Sequence, residues 1–400
     1  MRALLFLVSL SLLLAGIAHA DSLNVRLVGR YDSLADALNV ALSDSYAYVV
    51  DVFGLSVISV ADPTHPTQVG YWTTQCHATD VAVSGNYAYV ADFEDGLRVI
   101  SVADPTHPVE VGYYDTQGEY AVGVAVDGGY AYVVDVVYGL RVISVTDPAH
   151  PYEVGHYQTP DNALDVTIRG NIAYVADQDS GLRVISVEDR AHPVEVGGCV
   201  VPDLAQGVAV SGDNAFVTGY YGGFWVIRIS DPADPVQVGY YHPPSYAYGV
   251  SVDGDYAQVA DDFAGLRVIR VANPESPIES GYYDTPGRAR GVAARSGYSY
   301  VCDEDSGMQI YQFYGGGVEE TPNAEVQTAP RIPTVARGVL FLSEASSHKH
   351  PAASLLDASG RKVAELHPGA NDVSGLSPGV YFVREAQAQA QAIRKVVVTR

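Results

Sequence analysis

Six aspartates, Asp51, Asp92, Asp135, Asp177, Asp261 and Asp303, recur at steps close to 42 residues or twice that. Three of them open acidic runs that end on glycine: Asp92-Phe93-Glu94-Asp95-Gly96, Asp177-Gln178-Asp179-Ser180-Gly181 and Asp303-Glu304-Asp305-Ser306-Gly307. Carboxylates at alternate positions of a tight loop are calcium chemistry, with Asp177 and Asp179, and Asp303 and Asp305, as the candidate ligands. The runs lack the third acidic position and the distal glutamate of a complete calcium loop. A second chemistry fits the same aspartates better. Four are followed six residues later by arginine, as Asp92/Arg98, Asp135/Arg141, Asp177/Arg183 and Asp261/Arg267. That spacing suits an ion pair across a hairpin. One copy has lost both members together, carrying Gly219 and Trp225 instead. Calcium is thus the weaker reading, and no cofactor is expected.

Histidines also recur, at His65, His107, His150 and His192, each beside or just before a proline. If the repeats ring an axis, such turns lie roughly 20 Å out at about 4.8 Å per strand. Equivalent atoms are then on the order of 17 Å apart, whereas a zinc–nitrogen bond is about 2 Å. Turn packing, not metal ligation, is their expected duty.

A third set is variable. Ala37, Ala78, Ala121, Ala163, Ala205, Ala247 and Ala289 are fixed within the frame x-Ala-y-Gly/Asp/Asn, but their neighbours differ freely. His77, Tyr120, Asn162, Tyr246, Tyr248, Arg288 and Arg290 are the candidate ligand contacts. Constant scaffold with diverse tips is the pattern of a binding face. The two arginines would suit a carboxylate. Tyr220, Tyr221, Phe224 and Trp225 form a secondary aromatic patch able to stack on a sugar or peptide. The repeats have no Gly-x-Ser-x-Gly, and the sequence has no His-Glu-x-x-His, phosphate loop or Cys-x-x-Cys. A non-catalytic ligand-binding role follows, for an unknown protein, peptide or glycan. The alternative is a carbohydrate-active lyase or hydrolase using His77, Tyr120 and Arg288.

The elements that position these residues come from one repeat. Gly-Leu-x-Val or a variant starts at Gly54, Gly96, Gly139, Gly181, Gly223, Gly265 and Gly307, at steps of 42 or 43. Within the unit 78–113, Val81-Ala82-Val83, residues 87–91, 97–102 and 109–113 read as strands. They are separated by Ser84-Gly85-Asn86, a hairpin at 92–96, and Asp104-Pro105-Thr106-His107-Pro108. Prolines cannot donate to a ladder, so the last must be a turn. Four antiparallel strands in this length make one propeller blade. The seventh copy stops after its third strand, at 308–313. Its missing fourth is at the other end, Val25-Arg26-Leu27-Val28-Gly29-Arg30-Tyr31. The expected fold is all-β, a seven-bladed β-propeller with four-stranded antiparallel blades, closed by the N-terminal strand. The unit Gly96-Leu97-Arg98-Val99-Ile100-Ser101-Val102-Ala103-Asp104-Pro105 with Pro108-Val109-Glu110-Val111-Gly112 resembles the LVIVD repeat family. The resemblance spans about 25–313 and implies a secreted or surface propeller, with no defined activity.

The flanks differ. Residues 1–20 read as a secretory signal, with Arg2, an apolar run over 3–14 and Ala18-His19-Ala20. Residues 21–314 are the propeller, 315–336 a linker, and 337–400 a small β-sandwich-like domain. This tail resembles the type IX secretion sorting domain at 357–363, 375–384 and 394–400, which implies contact with secretion machinery. Its departure is the Ala/Gln run at 386–392. The tail holds eight Lys/Arg against five Asp/Glu, so the rest is more acidic than the total of −24. That charge argues against nucleic acid and favours cationic partners. The apolar leader is too short to span a bilayer. Cys76, Cys199 and Cys302 are odd in number and far apart, which predicts buried free thiols. A secreted or outer-surface monomer is expected.

Overall fold

The computed structural model describes residues 22–116 and 120–315 and, farther on, the strands between 334 and 398. The signal at 1–20 and most of the linker lie outside the described residues. Seven antiparallel sheets follow one another along the chain, their strands in sequence order from axis to rim except where N-terminal strands join the rim of the last two. In the second blade these are Asp80–Ser84, Tyr87–Ala91, Leu97–Ser101 and Val109–Tyr114. Valine, isoleucine and tyrosine alternate along them, so each strand offers apolar side chains to both neighbouring blades. Tyr89, Leu97 and Val99 pack on Ala121, Val124 and Ile143 of the third blade. Val90 and Ile100, the alternate residues, pack on Val50, Leu55 and Val57 of the first. The core is therefore a set of blade–blade seams.

The ring closes as the complementary ends require. Val25–Tyr31 pairs antiparallel with Met308–Phe313 and becomes the outer strand of blade seven. The structure adds a stitch: Ser22–Leu23 pairs with Tyr282 and Tyr283, giving blade six a fifth strand. Outer strands carry a bulge beside a glycine, as between Glu110 and Gly112. A Cβ on Gly112 would collide with the Pro148 carbonyl of the next blade, so the Asp-Pro turn of one blade seats on the glycine of the one before. The turn histidines point outward. His65, His107, His150 and His192 each hydrogen-bond through Nδ1 to the aspartate three residues earlier, with the imidazoles in solvent. They serve as turn caps. In the first two turns the Thr64 and Thr106 hydroxyls contribute most to holding Asp62 and Asp104 below the usual carboxylate range.

Blades also clasp one another through a polar contact. The Tyr114 hydroxyl donates to Glu153 (3.1 Å), Tyr157 to Glu195 (3.0 Å), Tyr241 to Glu279 (2.7 Å) and Tyr31 to Gln68 (2.6 Å). In each case the tyrosine ends one outer strand and the acceptor lies in the next. Burial is the first cause, and the Glu279 bond the second, of a Tyr241 pKa well above the usual phenol value. Tyr241→Phe should lower unfolding free energy by about 1.5 to 3 kcal/mol, the usual worth of a hydrogen bond to a charged group. Urea denaturation reads this directly.

The second unit spans 320–400. It has a five-stranded sheet, in which Ala353–Leu356 lies between Lys362–Leu366 and Gly379–Arg384, and a two-stranded sheet of Val339–Leu342 with Gly369–Asp372. The strand Ile393–Val398 pairs with Gly379–Arg384 and, in parallel, with Thr334–Ala336. Among the described residues no helix is long and apolar enough to cross a membrane.

Candidate functional site

The hairpins between second and third strands and the loops entering the inner strands share one end of the ring. Backbone hydrogen bonds tie them across the blades. Phe93 exchanges bonds with Ala121 (3.1 and 3.0 Å), Asp262 with Ala289 (3.2 and 3.0 Å), and Gln178 and Glu304 bridge to Ala205 and Ala37. This is why alanine is fixed in the repeat: all seven are fully buried, and Ala37, Ala121, Ala205 and Ala289 pair directly with a neighbouring hairpin. Phe93, Gln178 and Asp262 take φ of +45°, +29° and +43° to make the turn.

The recurrent aspartates hold this architecture from beneath. Asp92, Asp135, Asp177, Asp261 and Asp303 are fully buried. Asp177 accepts from the Asp161 N–H (3.1 Å), Asp261 from Ser245 (3.2 Å), and Asp303 from Gly287 (2.9 Å) and the Thr285 hydroxyl (2.8 Å), all in the loop that enters the same blade. Arginine faces three of them as expected, at 3.5 Å for Asp92/Arg98 and Asp135/Arg141 and 3.7 Å for Asp261/Arg267. Arg183 instead lies on Glu195. Glutamate in the outer strand is a second partner of Arg98, Arg141 and Arg267 as well, through Glu110, Glu153 and Glu279. Burial pushes Asp261 up to about 7, with Arg267 pulling against it. The calcium pairs Asp177 with Asp179 and Asp303 with Asp305 sit in these hairpins. Among the described residues no group of three or more His, Cys, Asp or Glu converges to hold a metal. Of the thiols, Cys302 is buried, whereas Cys76 and Cys199 are only partly so.

The variable residues are placed around the mouth in three neighbourhoods. Tyr120 stacks on Phe93 (centroids 4.3 Å), and His77 meets the same ring edge-on at 6.1 Å. Asn162 donates to Gln178 (2.9 Å). Tyr246 stacks on Tyr220 at 4.7 Å, and Tyr248 and Tyr221 lie edge-on to it. Arg288 and Arg290 are not free cations. Arg288 Nε pairs with Asp262 (2.9 Å), both reach Glu304 (3.3 and 3.4 Å), and Arg290 lies 4.3 Å over the Tyr248 ring.

The aromatic patch divides. Tyr221 is 66% exposed and Tyr220 borders it, but Phe224 and Trp225 are buried, at 0% and 2%. They start the third strand and alternate into two seams, Trp225 toward Tyr174 and Leu182, Phe224 toward Ala247 and Val259. The indole fills the space that Gly219 and Gly223 leave, which explains why that blade lost its Asp and Arg together. Sequence reasoning missed other aromatics on this face. Phe53, Tyr138 and Phe263 stand exposed at hairpin tips. Their signal was position, each two or three residues after the buried aspartate.

Below the mouth the inner strands enclose a throat of about 230 Å³, lined by Asn39, Asp80, Val122, Leu164, Asp165, Gln206, Gly207, Tyr248, Gly249 and Arg290. These come from the y and third positions of the frame. Where that third residue is glycine the inner strands abut, so a Cβ on Gly207 would collide with the Tyr248 carbonyl. Where it is polar the side chain bridges blades instead. Asn39 donates to Asp80 (2.6 Å), Asp80 accepts from the Val124 N–H (2.7 Å), and Asp165 from the Val208 N–H (2.8 Å).

Comparison with solved structures agrees with this architecture. The RRP9 WD40 repeats match at 10% identity and a TM-score of 0.60, over 72% of this chain and 96% of that one. The WD40 propeller of Doa1 matches at 14% and 0.60 over the same shares. The computationally designed Ika8 protein matches at 8% and 0.55, over 72% and 99%. At such identities the likeness is one of fold. No curated protein matches the sequence. The LVIVD repeat model matches seven times, at 35–74, 76–116, 118–159, 160–201, 204–242, 244–285 and 286–310. The seven blades are thus seven copies of one recognised unit, and the chain belongs to the LVIVD repeat family.

Proposed function

We propose that this protein is an exported, non-catalytic binding propeller that holds a protein, peptide or glycan on the face carrying its hairpins and entry loops. One observation carries the reading: Phe53, Tyr138, Tyr221 and Phe263 stand exposed on that face, with Tyr120 and Tyr246 between them. Exposed aromatics cost solubility and are the side chains most enriched at binding hot spots. Buried aspartates and paired strands fix the loops beneath, so the face is pre-organised and little ordering entropy opposes binding. Arg288 and Arg290 are engaged with carboxylates, and His77 rests on Phe93. That favours binding over acid–base chemistry at the mouth. The C-terminal unit is proposed to be the sorting tail that engages secretion machinery, consistent with its basic charge and with the apolar leader.

An array of immobilised glycans and peptides, probed with the full chain, tests the face. Tyr221→Ala with Phe263→Ala should reduce signal about tenfold or more with unchanged melting. Signal retained by that double variant, but lost on substituting His107 and His150 at the opposite end, would overturn the assignment. Export is tested separately: a chain ending at 319 should stay inside its native host.

A further inference from the structure

We propose that the throat is a site for a single protonated amine on an extended aliphatic stem, its ammonium seated between Asp80 and Asp165 and its stem running up past Leu164, Gln206 and Tyr248. The site lies below the aromatic face and does not depend on that face binding a partner. The argument begins with acceptor counting. A carboxylate offers about four lone-pair sites. Asp80 accepts from the Val81 N–H (2.8 Å), the Asn39 amide (2.6 Å) and the Val124 N–H (2.7 Å). Asp165 accepts from the Val166 N–H (2.7 Å) and the Val208 N–H (2.8 Å). Five sites are filled by fixed donors, and about three remain. An ammonium brings three donors.

Size and lining narrow the class. A cavity of about 230 Å³ falls below the roughly 300–1,000 Å³ of pockets for drug-sized ligands. One unbranched chain fits that volume. Val122, Leu164, Tyr248 and the stem of Gln206 give the walls apolar surface for methylenes. Calcium wants six to eight oxygens, and this throat presents two carboxylates already braced by backbone. The other charged group, Arg290, is occupied by Glu304 at 3.4 Å and by the Tyr248 ring. Burial, and for Asp80 the nearby Asp165, pushes both carboxyls above the usual range. An ammonium seated between them would act the other way, favouring the charged form of both.

Isothermal titration of the full chain at low ionic strength and pH 8 tests this with n-pentylamine, a peptide with one lysine, pentan-1-ol and calcium chloride. Both amines should bind at one site per chain, and the alcohol should not. Tighter binding of the lysyl peptide would identify the occupant as a side chain of a protein partner; tighter pentylamine, a free amine. Asp165→Asn should weaken either by roughly tenfold or more, and Gln206→Trp, which fills the throat and leaves both carboxylates, should abolish binding. If Asp165→Asn does not fold, Gln206→Trp carries the test. Tyr221→Ala with Phe263→Ala should leave amine binding intact, so failure here and failure of the aromatic face are separable. No heat with either amine, equal affinity in the Gln206→Trp variant, or binding of calcium in place of amine would overturn the proposal.

Discussion

A chain lacking residues 22–32 should lose its single cooperative unfolding transition and aggregate. The segment is the outer strand of blade seven and the stitch on blade six. Val25 is buried against Leu266, Val292 and Tyr311 in the seam between those blades. Tyr31 packs on the seam between blades seven and one and donates to Gln68 (2.6 Å). Deletion leaves Met308–Phe313 as an open edge, a template for pairing with another chain. It also removes both halves of a closure that no local contact can replace. The expected loss is a large part of the whole folding free energy, about 5–15 kcal/mol for a typical domain. Size exclusion and urea denaturation measure it, and adding the 22–32 peptide in trans should partly restore the transition. A deletion variant that stays monomeric and melts like the intact chain would refute the closure role.

Arg267→Met should cost about 3 kcal/mol or more at pH 8, the range for stripping one partner from a buried ion pair. Arg267 is buried among Asp261 (3.7 Å), Glu279 (3.9 Å) and Asp284 (2.8 Å), and Asp261 has no exposure at all. The loss should shrink toward pH 5. Asp261 already titrates near 7 in the folded chain, above its ordinary 3.8, because of burial. A carboxyl raised on folding contributes stability that is full in acid and lost as the pH rises from about 4 through 7. Removing Arg267 deletes the largest attraction that favours the charged form, leaving the Ser245 N–H, so the penalty falls on the alkaline side. Adding Asp261→Asn to Arg267→Met should recover most of it at pH 8. Urea midpoints at the two pH values decide: a loss of the same size at both would refute the account.

The ring and its closure were legible because they rest on period and alternation. Gly-Leu-x-Val and Asp-Pro mark every blade, and the orphan strand at 25–31 has one place to go. The site was legible in outline only. Phe224 and Trp225 look like Tyr220 and Tyr221 in sequence, yet one pair starts a strand between seams and the other lies at or beside a hairpin tip. Within the strand, Phe224 and Trp225 alternate into two seams, whereas a hairpin tip has no seam on either side. Arg288 and Arg290 read as free because their carboxylates come from other hairpins, at Asp262 and Glu304. The tyrosine–glutamate clasps join residues 38 or 39 apart. That is four or so short of the repeat, so aligning copies on one another hides them. Arg183 lies on Glu195 because that acid is on the adjacent outer strand, beyond the hairpin that suggested the pair.

The joints between blades are of two chemical kinds, and temperature and acid should act on them differently. Clasped joints, such as those carrying Tyr114–Glu153 and Tyr241–Glu279, depend on an ionised glutamate. The other seams hold large aromatics instead: Trp72 between blades one and two, Trp225 between four and five, and buried Tyr311 between six and seven. Apolar seams weaken on cooling as the hydrophobic driving force fades, whereas strong acid protonates the glutamates and spares the indoles. The ring therefore has separate weak points in the cold and in acid, and amide exchange under the two stresses should open different pairs of blades first.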